Sequence, residues 1–456
     1  MADAAVGGSA PRGGLSAGQE LWFPRLSGRR LFLRRARYLI SAVFETSCNA
    51  AYVTPIERKA VSKPLTGIRV LDLSKVLAGP LCAQYLGDLG ADIIKVETVG
   101  QGDETRGWPP FPAPGLGTVF LSANRNKRSI AVDMKTEKGR EIVHALASSA
   151  DVAIESFGTG VAERLGIDAA TLRSLNERLI HCSISGFGRS GPLKNSPGYD
   201  VILQAFCGIM SMTGDEDGGY IRSPISPIDQ MTGVHAFSGI LALLYAREKT
   251  GKGGAIQVSL FETALGLLGY NLQTYWERGV QPPKCGSSHE SLCPYQAFEA
   301  ADGPIMIGVA NDNLWRKFCS VAGLDAIVDD RRFRTNADRV AHRKETLDHV
   351  QAALAQHSAT HWNDALTAIG VPCAPINSIA QLLDHPHTGA SDIIVEYEHQ
   401  TAGRLKGVGH PVLIDGASRE SGLPPPMLGQ HTDDVLGEMG LSAETIGELR
   451  RSRVIA

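Results

Sequence analysis

The residues that could do chemistry in this chain fall into a few small groups, and most exclude themselves on spacing. One dinucleotide-like match, Gly186-Phe187-Gly188-Arg189-Ser190-Gly191, follows an apolar strand. Pro192 and LKNSPG come next, where a pyrophosphate site requires a helix to open. His357 and His361 stand four apart and His385 and His387 two apart, but neither pair has a third ligand in sight and HExxH is absent. These histidines read as surface or capping groups, and no metal is expected. Gly14-Leu15-Ser16-Ala17-Gly18 matches a nucleophile elbow only in letters, since no strand precedes it. The eight cysteines are scattered without a CxxC, which fits free thiols in a reducing compartment. What remains is a set of basic turns: Arg106 in GDETRGW; Lys127, Arg128 and Lys135 in RNKRSIAVDMK; and Phe157, Gly158 and Arg164 in SFGTGVAERLG. At strand ends such turns can hold a phosphate-bearing ligand. As solvated loop charges they would look the same, and spacing alone leaves both readings open.

The elements that must position these turns are regular from Pro64 onward. Apolar runs at 68–74, 91–97, 151–157 and 179–185 alternate with helical stretches at 79–90 and around KGREIVHALASSA. That order predicts βαβ units and a parallel sheet. A long helix around GVHAFSGILALLYAREKT ends at Gly251; strand AIQVSLFE and a second long helix to Gly279 follow. Residues 281–392 read as a smaller α+β domain, and 393–456 as short strands ending in an amphipathic helix. The body is thus expected to comprise 64–280, 281–392 and 393–456.

The chain has 456 residues, 43% hydrophobic, 20% charged and 6% aromatic, with a net charge of −3. Residues 1–63 hold ten Lys and Arg against four carboxylates, a net of +6, which leaves the body at −9. An acidic, aromatic-poor body argues against nucleic-acid binding, and no apolar run reaches the length of a membrane span. The basic extension reads as a disordered segment, a mis-assigned start or a transit peptide. Cytoplasmic location is expected, with mitochondrial import as the alternative.

Nine segments occur in order: PLTGIRVLDLSKVLAGPLCAQYLGDLGADIIKVE, GDETRGW, NRNKRSIAVDMK, SFGTG, SGFGRSGP, PGYDVILQAFCG, TGKGGAIQVSLFE, PYQAFEAADG and LGQHTDDVL. Together they resemble the family III CoA-transferases across residues 64–456. The resemblance implies a Rossmann-like α/β large domain built from both chain ends, a small domain between them, and an interlocked homodimer. It implies CoA transfer from an acyl-CoA, with succinyl-CoA a candidate donor, to a carboxylic acid. No permanently bound cofactor is expected, coenzyme A being a substrate.

The family nucleophile falls on Asp229, in SPISPIDQMTG just before a helix expected from about Gly233; Asp200, in Gly198-Tyr199-Asp200, is the competing carboxylate. CoA contacts are expected at Val76, Leu77, Ala78, Arg106, Lys135, Phe157, Gly158, Arg164 and Tyr199. The sequence departs from the pattern at Leu77, where the formyl-CoA enzyme has glutamine, at Thr98, where some relatives have arginine, and in the glycine-poor loop Cys285–Pro294. Two rival readings stand beside transfer. An α-methylacyl-CoA racemase would need His at Tyr199, since a phenol of pKa about 10 is a poor base. The other is a CoA-binding protein without catalysis.

Overall fold

The computed structural model describes residues 63–415, 419 and 422–456. The extension reading and the Gly14–Gly18 motif lie outside the described residues.

Six strands form one parallel sheet: β1 (Arg69–Leu73), β2 (Asp92–Glu97), β3 (Lys127–Ala131), β4 (Val152–Glu155), β5 (Ile180–Ser185) and β6 (Ala255–Ser259). Their order is β3-β2-β1-β4-β5-β6, so the winding direction reverses between β1 and β4. Register is set by pairs such as Val70–Ile93 and Val70–Val152. Alternation along the strands divides the core. Leu71, Leu73, Ile94 and Val96 join Ile142, Val143 and Leu146 on one face, while Val70, Ile93, Val152 and Ile154 join Leu86, Ala236 and Ile240 on the other. The first face also takes Val435, Leu436, Ile446, Leu449 and Ile455 from the chain's end. Each fully buried aliphatic side chain contributes about 1.5–3 kcal/mol by leaving water.

A second, antiparallel sheet joins β7 (Tyr295–Ala300), β8 (Gly303–Gly308) and β9 (Cys373–Pro375). Its core comprises Phe298, Ile305, Ile307, Trp315, Phe318, Val350, Leu354 and Trp362. Strands β10 (Ile394–His399) and β11 (Gly403–Val408) form a hairpin. The chain is therefore an α/β fold with a six-stranded parallel sheet and small antiparallel sheets.

Two expected elements differ. The single long helix after β6 is two helices, Leu260–Leu268 and Tyr270–Arg278, because Gly269 adopts φ 47°, ψ −122°, a conformation that glycine reaches without a Cβ penalty. The helix expected from about Gly233 begins at Pro227 and runs 24 residues to Thr250. Proline at the first helical position loses no bond, because that N–H lacks an intrahelical partner anyway. Asp229 therefore lies inside the first turn rather than ahead of it.

Candidate active site

In a doubly wound sheet, ligands bind beyond the carboxyl ends of the strands at the point where the winding reverses. A cavity of about 330 Å³ opens there. Its walls are the turn Lys75–Gly79 after β1, the turn Ser156–Thr159 after β4, Ile184–Gly186 after β5, and the segment Lys194–Tyr199. Asp229 enters from the start of the 24-residue helix.

The helix start explains the state of Asp229. Ser226, in the left-handed region, gives no side-chain cap. Asp200 takes that role from the start of the helix Asp200–Phe206: its Oδ2 accepts the N–H of Ile228 at 2.8 Å and of Asp229 at 3.0 Å. Asp200 is buried, and Gln204 Nε2 donates to its other oxygen. Gln204 Oε1 in turn accepts the N–H of Ser223 at 2.8 Å. The capping geometry thus places one carboxylate beside another in a water-poor corner. Burial, and then the charge of Asp200, push the Asp229 carboxyl up to about 7. Asp229 is a carboxyl group poised to lose its proton near neutrality, facing a cavity.

The walls are fixed by backbone bonds. Lys75 donates its N–H to Ser156 Oγ at 3.0 Å, which joins the turns after β1 and β4. Phe157 is gripped twice: its N–H goes to Glu155 Oε2 at 2.7 Å, and its carbonyl accepts from Arg189 at 2.8 Å. Arg189 closes the clamp on Glu155 at 2.7 Å. Tyr199 is half-exposed, its hydroxyl 3.4 Å from Glu104, which pairs with Lys75 at 3.2 Å.

Of the ten expected site residues, Val76, Leu77, Ala78, Phe157, Gly158, Tyr199 and Asp229 line this cavity. Arg106, Lys135 and Arg164 do not. Arg106 is buried against Glu97 at 2.6 Å, donates to the carbonyls of Gly115 and Pro426, and lies 3.8 Å over the Phe120 ring. Its guanidinium ties strand to loop instead of facing the cavity. Lys127, also in a basic turn, is buried on Asp72 at 2.9 Å. Lys135 and Arg164 are exposed, Arg164 close above Gly160 beside the cavity-lining Thr159. The loop Cys285–Pro294 contributes nothing to the cavity lining.

Lys75, Glu104, Ser156, Arg189 and Lys194 line the cavity without having been expected from the sequence. Arg189 was visible inside the rejected Gly186–Gly191 match. No helix opens there, as the sequence predicts; the next begins at Asp200. Among the described residues no three His, Cys, Asp or Glu side chains could share a metal ion. His357 and His361 pack with ring centroids 4.2 Å apart and planes tilted by 30°, and His385 caps a helix through its Nδ1. The seven described cysteines are free thiols. No helix of the described residues is long and apolar enough to cross a membrane.

The chain matches the sequence profile of CoA-transferase family III over residues 65–432. It is 37% identical to the succinyl-CoA:glutarate CoA-transferase of Mus musculus, covering 83% of this chain and 86% of that one. It is 38% identical to the succinate–glutarate CoA-transferase of Agrobacterium fabrum, covering 82% and 96%. Its structure is similar to that of a CAIB/BAIF family protein from Brucella suis, with a TM-score of 0.74 and 34% identity over 83% of this chain and all of that one. With the parallel sheet and the cavity at its switch point, these likenesses place the chain in CoA-transferase family III, and it is an enzyme that transfers coenzyme A.

Proposed function

We propose that the enzyme moves CoA from succinyl-CoA to a dicarboxylic acid of the size of glutarate, with Asp229 as the covalent nucleophile. The observation that carries this reading is the Asp229 carboxylate, poorly solvated and facing the cavity at the switch point. A carboxylate stripped of water beside a thioester is a far better nucleophile than one in bulk solvent. The acyl donor and acceptor follow the names of the mouse and Agrobacterium relatives.

In the first step a carboxylate oxygen of Asp229 adds to the thioester carbonyl. The C–S bond breaks, CoA leaves as thiolate, and an aspartyl–acyl anhydride remains. The thiolate then adds to the aspartyl carbonyl; the donor departs as a carboxylate and the enzyme holds CoA as an aspartyl thioester. The acceptor carboxylate attacks that carbonyl and expels the thiolate. The thiolate finally adds to the acceptor carbonyl, releasing the new acyl-CoA and restoring Asp229. No net proton is consumed. Water would hydrolyse both intermediates, so the closely bonded walls around Lys75 and Phe157 serve the chemistry as well as the binding.

Arg164 and Lys135, exposed and free of buried ion pairs, are assigned to the CoA phosphates. Residues 64–280 and 393–456 are assigned to one domain and 281–392 to another, in keeping with the separate core around β8. A homodimer is also proposed, supported by apolar residues left exposed on helices: Phe206, Tyr270, Trp276, Ile379 and Leu382.

A mass-spectrometric screen of acyl-CoA donors against carboxylic acids tests the substrate assignment. Succinyl-CoA with glutarate is expected to rank at the top. A preference for oxalate or for a monocarboxylate would overturn the assignment.

A further inference from the structure

Val76 has φ 71°. Among the described residues it is the one β-branched side chain in the left-handed region, where Cβ crowds the backbone. The turn it belongs to is held from several sides. Val76 donates its N–H to both oxygens of Asp103, each at 3.3 Å. Asp103 faces Lys95 Nζ at 3.2 Å, and Lys95 donates to the carbonyl of Ser74 at 2.9 Å. Ser74 returns its N–H to Asp72 at 3.0 Å, and Asp72 pairs with Lys127. Successive N–H groups at positions 74, 75 and 76 thus end on Asp72, Ser156 and Asp103, side chains from three different elements.

Lys95, Lys127 and Asp72 are fully buried and Asp103 nearly so, yet none of the four lines the cavity. Buried charge is expensive to desolvate and contributes little net stability by itself. Left-handed valine is a conformation that persists only where its surroundings over-determine it, and such positions cluster at functional sites.

We propose that Asp103, backed by Lys95, is a positioning residue that holds Val76 in the left-handed conformation, so that Val76, Leu77 and Ala78 present the wall against which acyl-CoA rests. The proposal relies on this cavity being the acyl-CoA site. Asp103 also accepts the N–H of Thr105 at 3.0 Å and pairs with Lys95, so its removal has structural consequences that a test must separate.

A double-mutant cycle does so, because glycine adopts φ near +70° without needing a clamp. D103N, V76G and the pair are compared with wild type by calorimetric CoA affinity and by kcat/KM for transfer. With Val76 present, D103N should weaken CoA binding and kcat/KM by about tenfold to a hundredfold. In the V76G background the same substitution should cost less than about threefold. An equal cost in both backgrounds would overturn the proposal. Should D103N alone fail to fold, the V76G/D103N chain is expected to recover cooperative unfolding, and failure to recover counts equally against it. The underlying site assignment is judged separately with L77W, which fills the cavity. Unchanged CoA affinity in L77W would reject the site, whatever the cycle shows.

Discussion

The carboxylate of Asp200 accepts the backbone N–H of Asp229 at 3.0 Å, so the residue that starts the helix also places a negative charge beside the side chain it positions. Hydrogen bonding and electrostatics act in different places here. The bond secures the backbone of Asp229, while the charge keeps its carboxyl protonated to higher pH. A helix N-terminus ordinarily favours an ionised aspartate. Burial and the neighbouring charge prevail over that preference at this position.

In the proposed mechanism the ionised form of Asp229 attacks, so kcat/KM should rise with pH through a limb near 7. D200N removes the neighbouring charge and should move that limb down in pH. Burial is the larger cause, so the limb should stop short of the ordinary carboxylate range. A pH–rate profile of both enzymes checks this; a limb that stays in place in D200N would show that Asp200 does not act on Asp229 electrostatically.

The same raised value fixes a stability trend. The folded chain retains a proton on Asp229 up to about pH 7, while the unfolded chain releases it near pH 4. This group therefore favours folding below about pH 4, and that contribution is lost as pH rises to about 7. D229N, neutral throughout, should gain on wild type across that window. The gain should reach a few kcal/mol at pH 8, because each pH unit separating the folded and unfolded titrations is worth about 1.4 kcal/mol. Denaturant unfolding at pH 5 and pH 8 measures the difference, and a difference that does not change with pH would contradict a carboxyl that titrates near 7.

Arg106 and Arg164 should respond in opposite ways. R106M breaks a buried pair with Glu97 and should cost about 3–5 kcal/mol of stability. R164A, on the surface, should leave stability nearly unchanged and raise KM for acyl-CoA, since a charge-assisted phosphate contact is worth about 1.5–3 kcal/mol. Thermal unfolding and initial-rate kinetics on the two variants separate these roles. A normal KM in R164A would remove it from the CoA site.

The sheet was legible because its apolar runs are short and alternate with helices: the runs containing Val70, Ile93, Val152 and Ile180 are all strands. Glycines read as helix stops served well at Gly251 and Gly279, but Gly269, inside an apolar stretch, hid a break between two helices. The turns after β1 and β4 could be recognised by resemblance, which brought seven of the ten expected residues to one cavity. Which basic residue is exposed and which is buried was not legible. Arg106 and Lys127 look like Arg164 in sequence, and only Glu97 and Asp72 on neighbouring strands decide otherwise. Nor does local sequence reveal that Asp200 caps a helix 28 residues away.

If Asp229 is the nucleophile, it becomes covalently joined to CoA during turnover. Enzyme mixed with succinyl-CoA in the absence of acceptor, quenched in acid and digested, should yield the Asp229 peptide carrying the mass of CoA, released by hydroxylamine. The same treatment of D229N should leave that peptide unmodified and turnover lower by at least about three orders of magnitude, as expected when a covalent nucleophile is removed. An adduct on another residue, or a D229N enzyme that keeps a substantial fraction of wild-type turnover, would place the nucleophile elsewhere.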